Sequence, residues 1–331
     1  MSVIRKILVA VKNPDARRQP GVDKAIGIAK SLGASVELFH SITTPVFLEL
    51  EPLTGHTVTE IRREALELRS ARLEKLAARA RKRGVKISCS VEWDFPPHEA
   101  IVRRARKSGA DLIIAECHQG RRLKPWLVHL TDWELLRLSP LPVLLLKNAR
   151  PWHQPTILAA VDPSHAHDKP ARLDATIVAE AIHFARALHG SLELVHANFP
   201  TGFGLMLGDP AIGAATLATT FEQQKKFSRA AFDAFANKAG VPSASRQLID
   251  SDPVFAIPHV AHKVGADLVV MGAVSRSGLK RVFIGNTAER VLDDLPCDVL
   301  VVKPARTAPR VANRVRGLRL IPTQPLSPAP C

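Results

Sequence analysis

SLGASVELFH (31–40) and ALHGSLELVH (187–196) align at an offset of 156 residues. At the same offset ADLIIAE (110–116) matches ADLVVMG (266–272), and PVLLLK (142–147) matches DVLVVK (298–303). KILVAVK (6–12) matches TILAAVD (156–162) at an offset of 150, the difference being an insertion within SHAHDKPARLD (164–174). A period this long is not that of a solenoid, so the chain is a duplicated domain.

Each copy alternates strands and helices. In the first, apolar runs predict strands over 4–11, 36–40, 86–93, 111–116 and 142–147. Helical periodicity marks 21–32, 59–83, 97–108 and 130–138. The runs ILVAV, LIIA, LVVM and VLVV read as strands buried on both faces. Alternation of this kind gives a parallel, doubly wound sheet with right-handed crossovers, whose ligands bind outside the C-terminal strand ends. The expected domains are 1–150 and 151–305. A tail, 306–331, holds five arginines, five prolines and no acid, and is expected to be disordered.

The 331 residues are 46% hydrophobic and 23% charged, enough apolar mass for two cores. The net charge of +15 is uneven. Residues 1–150 hold 27 Lys and Arg against 16 Asp and Glu, whereas 151–303 hold 14 against 15. No recognition helix, zinc finger or RNA-binding aromatic pattern accompanies the basic half, and tyrosine is absent, so nucleic acid is not the expected partner. Cys89, Cys117, Cys297 and Cys331 lack metal-ligand spacing, and no metal is expected. The sparse cysteines, and the lack of an apolar run long enough for a span or signal, point to a cytoplasmic protein.

Chemistry is sought after the fourth strand of each copy. In the second copy MGAVSRSGLKRVFIGNTAERVL (271–292) sets Gly272, Ser275 and Gly285 before a helix that opens with Asn286 and Thr287. Amides at such a helix start can cradle a phosphate, and Asp162, at the end of the first strand, faces the same crevice. The candidate site is Val161, Asp162, Ala197, Met271, Gly272, Ser275, Gly285, Asn286 and Thr287.

The duplication and this loop resemble the universal stress proteins in tandem form. Gly285–Glu289 (GNTAE) and Thr131–Trp133 (TDW) are similar to stretches of the family's E subfamily. The resemblance spans about residues 3–303. It implies two Rossmann-like (adenine-nucleotide alpha-hydrolase-like) domains, each a five-stranded parallel sheet of order 3-2-1-4-5. It also implies pairing through the fifth strands and a stress-response role in place of a defined reaction. Nucleotide-binding members carry Gly-x2-Gly-x9-Gly-[Ser/Thr]. Here Ser275 stands at the second Gly and Asn286 at the hydroxyl residue, so the ligand is ATP or another nucleotide-like anion. The first copy departs further: Glu116, Gln119, His129 and Leu130 fill the motif and Lys12 replaces Asp162. It is expected to hold no ordinary nucleotide.

Other features have plain readings. His40 and His196 end the second strands and are expected to hydrogen-bond there. Cys117 and His118 point apart on an extended segment. Thr131 or Asp132 caps a helix. The apolar stretch 199–221 is a packed loop, or a lid whose Phe203, Leu205, Met206 and Leu207 favour an amphipathic ligand. Intramolecular domain pairing is expected, and a homodimer is compatible with it. The alternatives to non-enzymatic ligand binding are a slow ATP hydrolase or nucleotidyl-handling enzyme, and a basic scaffold for nucleic acid or membrane surface.

Overall fold

The computed structural model describes residues 3–44, 46–47, 57–117, 130–164, 172–199, 214–272, 286–303, 311–317 and 320–321. The chain divides into two compact units, Ile4–Ser139 with Pro309–Cys331, and Met1–Val3 with Pro140–Ala308.

The first unit contains β1 (Lys6–Ala10), α1 (Pro20–Leu32), β2 (Ser35–Ile42), β3 (Val46–Phe47), α2 (Val58–Arg81), β4 (Ile87–Trp93), α3 (Pro97–Ser108), β5 (Leu112–Glu116) and α4 (Leu130–Leu138). β1 lies parallel between β2 and β5, and β2 pairs parallel with β4. Ile7, Leu8, Ile113 and Ile114 are fully buried, as strands covered on both faces require. α2 opens on a capping box: the Glu60 amide donates to Thr57 Oγ1 and the Thr57 amide to Glu60 Oε2. α1 ends on Gly33 at φ 66°, a left-handed C-cap that glycine adopts without strain.

The second unit contains β6 (Val143–Leu146), β7 (Thr156–Ala160), α5 (Leu173–Ala187), β8 (Ser191–Ala197), α6 (Ala214–Lys238), β9 (Arg246–Ile249), α7 (Pro253–Lys263), β10 (Leu268–Gly272), α8 (Asn286–Asp294) and β11 (Asp298–Val302). Its parallel strands run β9-β8-β7-β10-β11, the expected 3-2-1-4-5. β6 adds antiparallel to β11, with Leu144 opposite Leu300, so the fifth strands of the two repeats pair. The compact units therefore part at Ser139/Pro140, ahead of the expected boundary at 150, because the apolar β6 is hydrogen-bonded to β11. Lys147, just after β6, fixes this arrangement. Its Nζ donates to the carbonyls of Leu292 (2.7 Å), Asp293 (3.1 Å) and Leu295 (2.6 Å), placing a cation on the negative end of α8.

Of the tail, residues 311–317 and 320–321 are described. Val311 is buried and its carbonyl accepts from Arg106; the Arg316 amide donates to the buried Asp94 carboxylate at 3.0 Å, and its guanidinium pairs with Glu99 at 2.7 Å. β12 (Leu320–Ile321) pairs parallel with β3. Arg316 thus meets two carboxylates, Asp94 and Glu99, grouped beside α3.

Candidate functional site

In the second unit the order of the strands reverses at β7 and β10, which lie side by side with Val270 opposite Ala159. Val161 follows β7, Met271 and Gly272 end β10, and Ala197 ends β8, so these residues share the C-terminal edge of three adjacent strands. Val161 and Met271 are buried and Asp162 keeps a quarter of its side-chain surface exposed. Asn286 and Thr287 open α8, whose Val291 and Leu292 are buried as its periodicity predicts. Ser275 and Gly285 lie outside the described residues, as do Phe203, Leu205, Met206 and Leu207.

Asp162 is tied into a polar network that the sequence reading missed. Its amide donates to Asp174 Oδ1 at 3.1 Å, and Ser164 Oγ lies 3.1 Å from its Oδ1. His196, fully buried, donates Nδ1–H to the Val161 carbonyl at 3.1 Å, because a carbonyl can only accept. Nε2 lies 2.8 Å from Ser228 Oγ and 3.2 Å from Ser164 Oγ. In the first unit His40 Nδ1 bonds the Val11 carbonyl at 2.8 Å in the same way. The histidine–carbonyl bond is therefore a device of the fold that locks the second strand's end to the first. The serines and the aspartate are particular to the second repeat; a hydroxyl four residues after the end of β7 was the available signal for Ser164.

The glycine at 272 has a packing cause. A Cβ there would stand 2.7 Å from Leu173 Cδ2 and 3.2 Å from Ile177 Cδ1, so α5 rests directly on the end of β10. In the first repeat the corresponding Glu116 reaches α1, where its Oε1 accepts from the Gly21 amide at 2.8 Å. α1 has no side-chain cap of its own, and this carboxylate supplies one to the positive helix end.

A cavity of about 220 Å³ opens in the first unit at the ends of β1, β2 and β5, with Lys12 and the buried Asp132 of α4 in its lining. The sequence reading gave Asp132 only a capping role. Burial lowers the Lys12 pKa against the opposing charges of Asp132, Cys117 and Glu116. In the second unit Phe199, Phe221 and Phe255, with Asn198, Lys225 and Asp250, line an open groove of about 660 Å³; Lys225 and Asp250 form an ion pair at 2.6 Å.

Among the described residues no group of three His, Cys, Asp or Glu is placed to hold a metal ion, and no helix is long and apolar enough to cross a membrane.

The universal stress protein family model matches residues 4–147 and again 155–303. Universal stress protein E of Escherichia coli K12 is 29% identical over 306 residues, covering 92% of this chain and 95% of its own. The universal stress protein E homolog of Haemophilus influenzae is 23% identical, covering 91% and 98%. Among solved structures, a functionally unknown protein of Pseudomonas aeruginosa PAO1 superposes with a TM-score of 0.70 at 30% identity, covering 91% and 93%. Twice matched along its length, and built on the strand order expected of it, the chain belongs to the universal stress protein family as a tandem member similar to universal stress protein E.

Proposed function

We propose that the chain is a cytoplasmic stress-response protein whose second repeat holds a nucleotide or related anionic ligand without chemically altering it. The observation that carries this reading is the place of Asp162. Its part-exposed carboxylate stands at the end of β7, beside the end of β10, where the strand order reverses. Ser164 Oγ lies 3.1 Å from it, and an ionised carboxylate so held accepts hydrogen bonds from sugar hydroxyls or a base amino group. α8, starting at Asn286 immediately after Gly285, offers amides for the anionic end. In the first repeat Lys12 and Glu116 fill the equivalent places, so the two crevices differ in the charged groups they present.

The Ser164–His196 contact does not favour a hydrolase. Ser228 is nearer to His196 Nε2, and Ser164 has the Asp162 carboxylate as an alternative acceptor for its single proton. A serine whose proton is shared with a carboxylate is not an activated nucleophile.

Calorimetry with ATP tests the proposal. One site is expected, weakened at least about tenfold by Asp162→Ala and by Gly285→Val and left unchanged by Lys12→Ala. Equal behaviour of the three variants contradicts it.

A further inference from the structure

α2 buries Leu73, Ala77 and Ala80 on one side. Its opposite side is exposed and carries Leu68, Lys75 and Lys82 at intervals of seven residues, nearly in line along the helix, with Arg79 between the last two. Several cations of this helix and its end have partners: Arg69 and Arg72 pair with Asp15, Arg81 with Glu74 and Arg83 with Asp23. The side chains of Lys75, Arg79 and Lys82 form no ion pair with a described residue. The sequence leaves them none within the helix, because no position three or four residues from any of them is acidic. Lys75 and Arg79, four apart, are a like-charge pair that destabilises the helix. The helix dipole accounts for cations in the last turn, and so for Arg79 and Lys82, but not for Lys75.

The positive surface continues past the end of α2. The Ser35 and Val36 amides donate to the carbonyls of Arg5 and Lys86, each at 2.9 Å. These two exposed cations therefore flank the start of β2, about 10 Å apart. Residues 57–117 are described throughout, and the acids beside the cations are engaged. Glu74 and Asp23 are paired as above, and Asp111 accepts from the Arg5 and Lys6 amides. Exposed Glu64, one turn before Leu68, marks the end of the face.

Separate cations on an open helix side give a small anion little hold, because each exposed pair is worth little alone. They suit a partner that is itself a broad array of negative charge. Nucleic acid and anionic bilayers are such arrays. Nucleic acid is held by stacking on aromatic rings or by side chains that reach base edges, and residues 64–86 contain no aromatic, Asn or Gln. The face does carry Leu68, 51% exposed, in line with two lysines. An apolar side chain flanked by long amine stems is the arrangement of helices that lie in a headgroup layer.

We propose that the outer face of α2, with Arg5 and Lys86 beside it, rests reversibly on a bilayer carrying anionic phospholipid. Lys75, Arg79 and Lys82 meet the headgroup phosphates, and Leu68 enters the interface between them. The surface is separate from the crevice of the second repeat, and Asp162→Ala leaves it intact.

The test is co-sedimentation of the full chain with vesicles of phosphatidylcholine alone or with about 30% phosphatidylglycerol, at about 0.05 M and about 0.5 M salt. Binding is expected on the anionic vesicles at low salt, and at least about tenfold weaker on neutral vesicles or at high salt. Lys75→Gln/Arg79→Gln/Lys82→Gln weakens it at least about tenfold. Lys226→Gln/Arg229→Gln/Lys238→Gln, which removes as many exposed cations from α6, leaves it within about twofold. Leu68→Ser weakens it about threefold. All of these variants change exposed side chains, and thermal melting checks that they fold. The proposal is overturned if the two triple variants bind alike, since net charge and not this face then governs binding. It is equally overturned if neutral vesicles bind as well, if Leu68→Ser binds undiminished, or if duplex DNA at equal phosphate concentration binds more tightly than the anionic vesicles.

Discussion

The Gly21 amide donates to Glu116 Oε1 at 2.8 Å, and a Cβ on Gly21 would stand 3.0 Å from that same oxygen. At the offset of 156 residues the pair becomes Ile177 and Gly272, which also touch. The duplicated fold keeps the contact between first helix and fourth strand and exchanges which side carries the bulk. In the first repeat the strand contributes a carboxylate to the helix start; in the second the helix contributes a hydrocarbon to the strand end. This single exchange places a carboxylate at the end of β5 and none at the end of β10.

Glu116→Ala removes a charged acceptor from a helix end and is expected to cost about 1–2 kcal/mol. Gly21→Ile in the wild-type background forces a clash with Glu116. The double variant Gly21→Ile/Glu116→Gly, which copies the second repeat, should be more stable than the sum of the single changes by about 1 kcal/mol or more. Urea unfolding of the four proteins reads this coupling; additivity within error contradicts the exchange.

Gly272→Ala drives a methyl to 2.7 Å from the buried Leu173 side chain. Overpacking of this kind should cost about 1–3 kcal/mol, with partial recovery when Leu173→Ala is added. An unchanged melting temperature for Gly272→Ala would show that α5 does not bear on the end of β10.

Lys147→Met leaves three carbonyls at the end of α8 without their ammonium. A loss of about 1–2 kcal/mol is expected, with faster amide hydrogen exchange over 286–294. Exchange there at the wild-type rate would contradict the capping role.

Burial lowers the pKa of His40, and of His98, below the ordinary imidazole value, partly offset in His40 by its bond to the Val11 carbonyl. The unfolded chain then takes up protons first as pH falls through about 6.5, so stability declines from that pH downward. Burial raises Cys89 and Cys297 to about 12. Above about pH 9 the unfolded chain releases thiol protons that the folded chain keeps, and stability declines again. Urea midpoints measured from pH 5 to 10 should show both declines. His40→Gln, which keeps a donor for Val11, should flatten the acid side. A wild-type acid limb in His40→Gln would contradict the assignment.

Much of the fold was legible because it rests on period and repetition. Buried runs such as ILVAV and LIIA mark strands whatever their neighbours do, and the offset of 156 residues fixes their order twice. What escaped depends on contacts distant in sequence. Asp132 reads as a helix cap until α4 is seen to turn it into a cavity. Ser228 is an ordinary helix residue until it meets His196. The docking of Arg316 on Asp94 joins residues 222 apart, and no local pattern announces it. Gly272 belongs to the candidate loop by its spacing, and its contact with Leu173 is visible only with α5 in place.

The central claim is that the second crevice accepts an anionic ligand and the first has been remade. Crystals of the full chain soaked with an adenine nucleotide test it most directly. Density beside Asp162, reaching the start of α8 at Asn286, with none beside Lys12 and Glu116, is the expected result. Nucleotide density against Glu116 with none beside Asp162 would contradict it.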